Sequence, residues 1–193
     1  MFGPTQHRTW SVLFALFGWL TALIAVPAAA ADPGFEVRSV EVELIDEVYQ
    51  LDAAIEYRLS NSALDALQSG VPLVFELQIE LLHKRQFLWT ETVASLLQRY
   101  ELRYHAFTER YILINLNSGV QESVSGLETA LYRLGIVEGV PVIDSNLLDS
   151  NDKYTVRLRA SLDLNALPIP LRTLAFVKPS WYLGGDWHEV RVK

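Results

Sequence analysis

Glu76 and Glu80 stand four residues apart in VPLVFELQIELL, and in an extended strand both carboxylates project from one face. Two acids on one face form the residue set of a glycosidase, in which one carboxyl protonates the leaving group and the other acts as base or nucleophile. Acids on the solvent side of a strand are also ordinary. The loop Asp144, Asn146, Asp149, Asn151, Asp152 holds oxygen ligands enough for Ca²⁺, but Leu148 falls where an EF-hand needs a ligand and the sixth position is not glycine. Asp and Asn favour turns for their own side-chain hydrogen bonds, and a turn is the preferred reading. Ser150–Lys153 spells S-x-x-K, yet it lies in a loop before a strand and no K-T-G follows. His83, His105 and His188 are widely spaced, without the paired spacing of a metal site, and read as solvated surface histidines. The chain has no cysteine, so thiol nucleophiles, thiolate metal sites and disulfides are excluded. No catalytic, cofactor-binding or metal-ligating residue is assigned.

A different chemistry is suggested by QRYELRYHAFTERYILINL, where Tyr100, Tyr104 and Tyr111 sit among Arg99, Arg103 and Arg110. Arginines interleaved with aromatics can bind nucleic acid. The formal charge of -7, with acids spread along the whole chain, argues against a polyanion partner. The spacing favours strands instead. Tyr100, Leu102 and Tyr104 share one face, Arg99, Glu101, Arg103 and His105 the other, FTER turns the chain, and YILINL returns it. The arginines are expected to meet acids on the outer faces of neighbouring strands.

Period two dominates the rest of the chain. Val40, Val42 and Leu44 alternate with Glu41 and Glu43, and Tyr49 to Leu59 alternate similarly, so two strands are predicted as a hairpin turning at Asp46-Glu47. SNSALDALQSG predicts a short helical turn capped by Asn61 or Ser62 and ended by Gly70. Strand alternation resumes at Phe75, Leu77, Ile79 and Leu81, and HKRQ reads as an exposed turn. QESVSGLETALYRLGIV carries Leu127, Leu131 and Leu134 at helical spacing, with Ser123 or Ser125 as cap and Gly135 as stop, which predicts one amphipathic helix. VPVID is a short strand, and Val156 to Leu164 forms the cleanest strand of the chain. LPIPLR must leave the sheet because its prolines lack donors. A last strand, WHEVRV, follows a GGD turn.

The N-terminus reads MFGPTQHRTWSVLFALFGWLTALIAVPAAAADPG: one firm positive charge at Arg8, an apolar run from Trp10 to Val26, then Pro27 and a small-residue stretch. This is the layout of a signal peptide, with an A-x-A site at Ala29–Ala31 and cleavage expected before Asp32. An uncleaved membrane anchor is the rival reading. Residues 1–31 are therefore assigned as signal peptide and 32–193 as a single exported, periplasmic domain. Contact with a membrane is expected only if the N-terminal segment is retained. The expected fold is mainly β, an antiparallel β-sandwich of immunoglobulin-like architecture with one amphipathic helix and a short helical turn.

The segments ALQSGVPLVFELQIELL, YELRYHAFTERY, LETALYRLG, YTVRLRASLDLNALPIPLR and PSWYL together resemble an exported proteobacterial family, domain of unknown function 4390. A-L-x-x-G-V-P-L and L-D-x-x-x-L-P-x-P-L-R are the most specific of them. The resemblance implies a single exported domain and carries no catalytic residues. Members of the family are often encoded beside a membrane sensor kinase, which implies a signalling partner in the envelope.

Three functions follow in order of preference. The first is a non-enzymatic interaction module of the envelope, accessory to a membrane protein such as a sensor kinase. The second is a small-ligand binder built on the aromatic C-terminal segment, where Trp181, Tyr182 and Trp187 cluster around Gly184-Gly185. The third is a hydrolase whose carboxylates meet only in the fold. Loops and strand ends carry function in sandwiches, so Arg99 and Arg103 on an outer strand face, with Trp181 and Trp187 near the last turn, form the candidate interaction surface.

Overall fold

The computed structural model describes residues 32–84 and 89–192. The segment expected to be a signal peptide lies outside them, as do Arg85 and Gln86 of the expected HKRQ turn. His83 and Lys84 belong to a strand instead.

Two antiparallel sheets are stacked. Strands β1 (Gly34–Ile45) and β2 (Val48–Arg58) form the expected hairpin, and Asp46 and Glu47 both take positive φ, at 48° and 65°. A two-residue turn of this kind matches the right-handed twist of its strands. β7 (Ile136–Asp144) pairs with β2 and completes a three-stranded sheet. The second sheet has six strands. β3 (Leu73–Lys84) lies between β4 (Thr90–His105) and β8 (Tyr154–Leu162). Beyond β4 come β5 (Arg110–Asn115) and β6 (Gln121–Ser125), and beyond β8 comes β9 (His188–Arg191). The mainly β, two-layer plan is the expected one.

Alternation decides what each sheet buries. Leu73, Phe75, Leu77, Ile79 and Leu81 of β3 and Val156, Leu158 and Ala160 of β8 are almost fully buried, and they face Leu51, Ala53, Ile55 and Tyr57 of β2. An aromatic trio joins the layers: Phe35 and Tyr57 from the small sheet meet Phe75 from the large one, with centroids 4.8 to 5.5 Å apart. Burial pushes the Tyr57 hydroxyl pKa up. Along one side a backbone bond closes the layers, because Phe35 N–H donates to Gly184 O at 3.5 Å while Gly185 N–H donates to Ala160 O at 2.9 Å. The tyrosines of QRYELRYHAFTERYILINL are ladder residues, as expected. Tyr104 pairs with Tyr111 across β4 and β5, with rings 4.9 Å apart.

Among the described residues three α-helices decorate the sheets, more than the sequence suggested. In α1 (Asn61–Gln68) the cap is Ser60, whose Oγ accepts from Ala63 N–H at 3.2 Å, and Gly70 follows in the left-handed region. α2 (Leu127–Gly135) is shorter than expected at its start, because Gln121–Ser125 pairs with β5 as a strand. Only Val124 of that strand is buried, so the sequence shows no alternation of large apolar residues there. LPIPLR leaves the sheet and then starts α3 (Ile169–Ala175), with Pro168 as cap and Pro170 in the first turn. Proline is suited to that position, where its missing N–H has no helical partner.

Candidate interaction face

β3, β4 and β8 turn every second side chain away from the core, and this outer face of the six-stranded sheet gathers most of the candidate residues. Register places Glu76 opposite Arg99 and Ser161, Gln78 opposite Leu97 and Arg159, and Glu80 opposite Ser95 and Arg157.

Arg99 is the centre of one cluster. Its Nη2 donates to Asp163 Oδ2 at 2.6 Å, and its Nε faces Glu76 Oε1 at 3.4 Å without a hydrogen bond among the described residues. Asp163 is buried and held from three sides. Its N–H donates to Val74 O, and its Oδ1 accepts from Asn165 N–H, both at 2.8 Å. Burial, reinforced by the Asp163 charge and opposed by Arg99, raises the Glu76 pKa above the usual glutamate range. Neighbouring Arg103, more exposed, pairs with Glu101 two residues away on the same strand face.

A second cluster lies across β8. Arg157 Nε and Nη2 both donate to Glu80 Oε2, at 2.9 and 2.6 Å, and Arg159 Nε donates to Gln78 Oε1 at 2.7 Å. Both guanidiniums stack on Trp187, 4.4 and 4.7 Å from its ring centroid. Such pairs orient the indole and hold it at the surface.

Arg99, Arg103 and Trp187 therefore share one face, half-buried or exposed. Trp181 does not join them. Only 3 % exposed, it sits in the core where the short turn Pro179–Trp181 packs against α1. Its expected surface role is corrected: the helical turn rotates the indole inward, whereas Trp187, six residues on, enters β9 on the outer side. The acids behave differently from a glycosidase pair. Glu76 and Glu80 are separate rungs of one strand, roughly 13 Å apart along it, and each faces its own arginine. On this face the fold brings Glu76 and Asp163 together around Arg99, a juxtaposition that sequence reasoning missed; the signal was Asp163 closing the apolar run of β8. In the Asp-rich loop, Asp144 Oδ1 accepts from Asn146 N–H at 2.8 Å and Asp149 Oδ1 from Asn151 N–H at 2.9 Å, the turn chemistry expected of them. His83 is not solvated as expected. It stacks on Tyr154, and its Nε2 lies 3.1 Å from Asp152 Oδ2.

The model of the family described as domain of unknown function 4390 matches residues 32–191. The chain belongs to this family. No curated protein and no solved structure matches the chain. In this member of family 4390 three of the segments that carried the resemblance meet at one end of the outer face. Asp163, from L-D-x-x-x-L-P-x-P-L-R, binds Arg99 beside YELRY and Val74 just after A-L-x-x-G-V-P-L. Arg172, which ends the same motif, folds back so that Nε and Nη2 donate to Leu167 O at 3.1 and 2.9 Å.

Proposed function

We propose that this member of family 4390 is a non-enzymatic interaction module of the bacterial envelope, exported to the periplasm and accessory to a membrane protein such as a sensor kinase. The observation that carries this reading is the placement of Arg99, Arg103 and Trp187 on one outer sheet face, where arginines and carboxylates pair across β4, β3 and β8 and Trp187 stacks on Arg157 and Arg159. Arg and Trp are the residues that most often anchor protein interfaces. The face is ordered in advance by its ion pairs, so little side-chain freedom is lost on binding. The test is capture of crosslinked partners from intact cells by tagged wild type and by Arg103→Glu. Reduced capture of one reproducible envelope protein, with unchanged thermal stability, supports the reading. Unchanged capture, or capture of nothing but the protein itself, counts against it.

The small-ligand alternative is favoured by one observation. A groove of about 590 Å³ runs between the start of β1 and the C-terminal segment, lined among others by Arg58, Tyr182, Asp186, Trp187 and His188. Recovery of a bound small molecule from the purified domain, lost in Tyr182→Ala, would move the function there.

A further inference from the structure

From Leu164 to Gly185 the chain contains no acid, although it carries 23 acidic residues in all. The charges within this stretch are Arg172 and Lys178. The same stretch turns its apolar residues outward. The buried side of α3 consists of Ala175 and half-buried Leu171, while Ile169, Pro170, Thr173, Leu174 and Val177 occupy the solvent side. Ile169 is 74 % exposed and Val177 73 % exposed. A helix on a soluble domain normally does the reverse. Phe176 and Tyr182, also exposed, extend the patch and are tied together, since the Tyr182 hydroxyl donates to Phe176 O at 2.6 Å. Lys178 stands at its edge without an ion pair among the described residues.

We infer that this patch is a docking surface for an anionic lipid bilayer. Exposed aliphatic side chains, flanking aromatics and a peripheral lysine form the residue set that lies in a membrane interface. The missing acids matter most, because the stretch that carries the exposed apolar side chains, Ile169 to Lys178, holds no carboxylate for anionic headgroups to repel; acids begin only beyond Tyr182, where Asp32, Glu36 and Asp186 line the adjoining groove. No described helix is long and apolar enough to cross a membrane. The patch residues differ from Arg99, Arg103 and Trp187 of the proposed partner-binding face, although Tyr182 and Trp187 line the same groove.

Residues 32–193 contain the whole described core, from Phe35 to Leu183, and form a compact unit, so they are the form to test. Flotation is measured with vesicles of phosphatidylcholine alone or mixed with phosphatidylglycerol. Wild type is expected to float with the mixed vesicles and much less with phosphatidylcholine. Leu174→Asp combined with Val177→Asp is expected to lower partitioning at least about tenfold, and Lys178→Glu about fivefold on anionic vesicles only. Arg103→Glu floats like wild type, which separates this result from the partner reading. Absence of flotation with mixed vesicles, or equal flotation of wild type and a folded double variant, overturns the inference. A concentration-dependent dimer that the double variant abolishes, without vesicle binding, overturns it too and gives the patch to a second copy.

Discussion

Arg99 of β4 reaches across β3 to Asp163 at the end of β8, Nη2 to Oδ2 2.6 Å, joining residues 64 apart in sequence. This contact orders one end of the outer face. Asp163 serves it with one oxygen and caps the following turn with the other. Asp163→Ala loses both roles and is expected to cost about 2 to 3 kcal/mol, whereas Asp163→Asn keeps an acceptor for the cap and is expected to cost less. Urea unfolding of the two variants checks the order. Equal losses would show that the charge contributes nothing.

Glu76 gives a pH signature of its own. Its folded pKa is raised, so the folded state holds this proton more tightly than the unfolded state does, and its contribution to stability falls as pH rises from the unfolded pKa through the folded one. Ionised Glu76 thus weakens the fold at neutral pH. Glu76→Gln is expected to match or exceed wild-type stability at neutral pH and to lose that advantage as pH drops below the ordinary glutamate range. Melting temperatures of both proteins across that range decide it. An advantage that grows toward acid would contradict the assignment.

The two tryptophans should separate cleanly. Trp181→Ala removes a core side chain and is expected to cost about 3 to 5 kcal/mol. Trp187→Ala removes a stacking platform for Arg157 and Arg159 at the surface and is expected to cost about 1 kcal/mol. Chemical denaturation of both variants provides the comparison, and similar costs would mean that Trp187 is also structural.

That pair also shows how far the sequence could be read. Period two revealed β2, β3 and β8 because their large apolar residues alternate without interruption. The same logic failed at β6, whose single buried side chain is Val124. It failed at α3 because prolines that end a strand also suit the first turn of a helix. Trp181 and Trp187 lie in a stretch without period, so nothing local told the core residue from the surface one. Arg99 was legible as an outer-face residue, but its partner Asp163 was not. Their meeting depends on β3 lying between β4 and β8, a strand order that no local pattern encodes.

Close packing supplies another test. Gly135 ends α2 directly against the Ile55 carbonyl, and Gly185 lies as closely on the Phe35 carbonyl; a Cβ at either position would overlap backbone oxygen. Alanine at either glycine is expected to destabilise the domain by about 1 to 3 kcal/mol or more. Thermal unfolding of each variant is the check, and a loss below a few tenths of a kcal/mol would show that the layers can separate without penalty.

The claim that the outer face of the six-stranded sheet meets an envelope partner is tested most directly by photocrosslinking in intact cells. A crosslinking residue is placed at position 103, on that face, and in a second strain at position 43, on the outer face of the small sheet opposite Gln50. One membrane protein is expected to be captured reproducibly from position 103 and not from position 43. Capture of no protein from position 103, or of the same proteins from both positions, would contradict it.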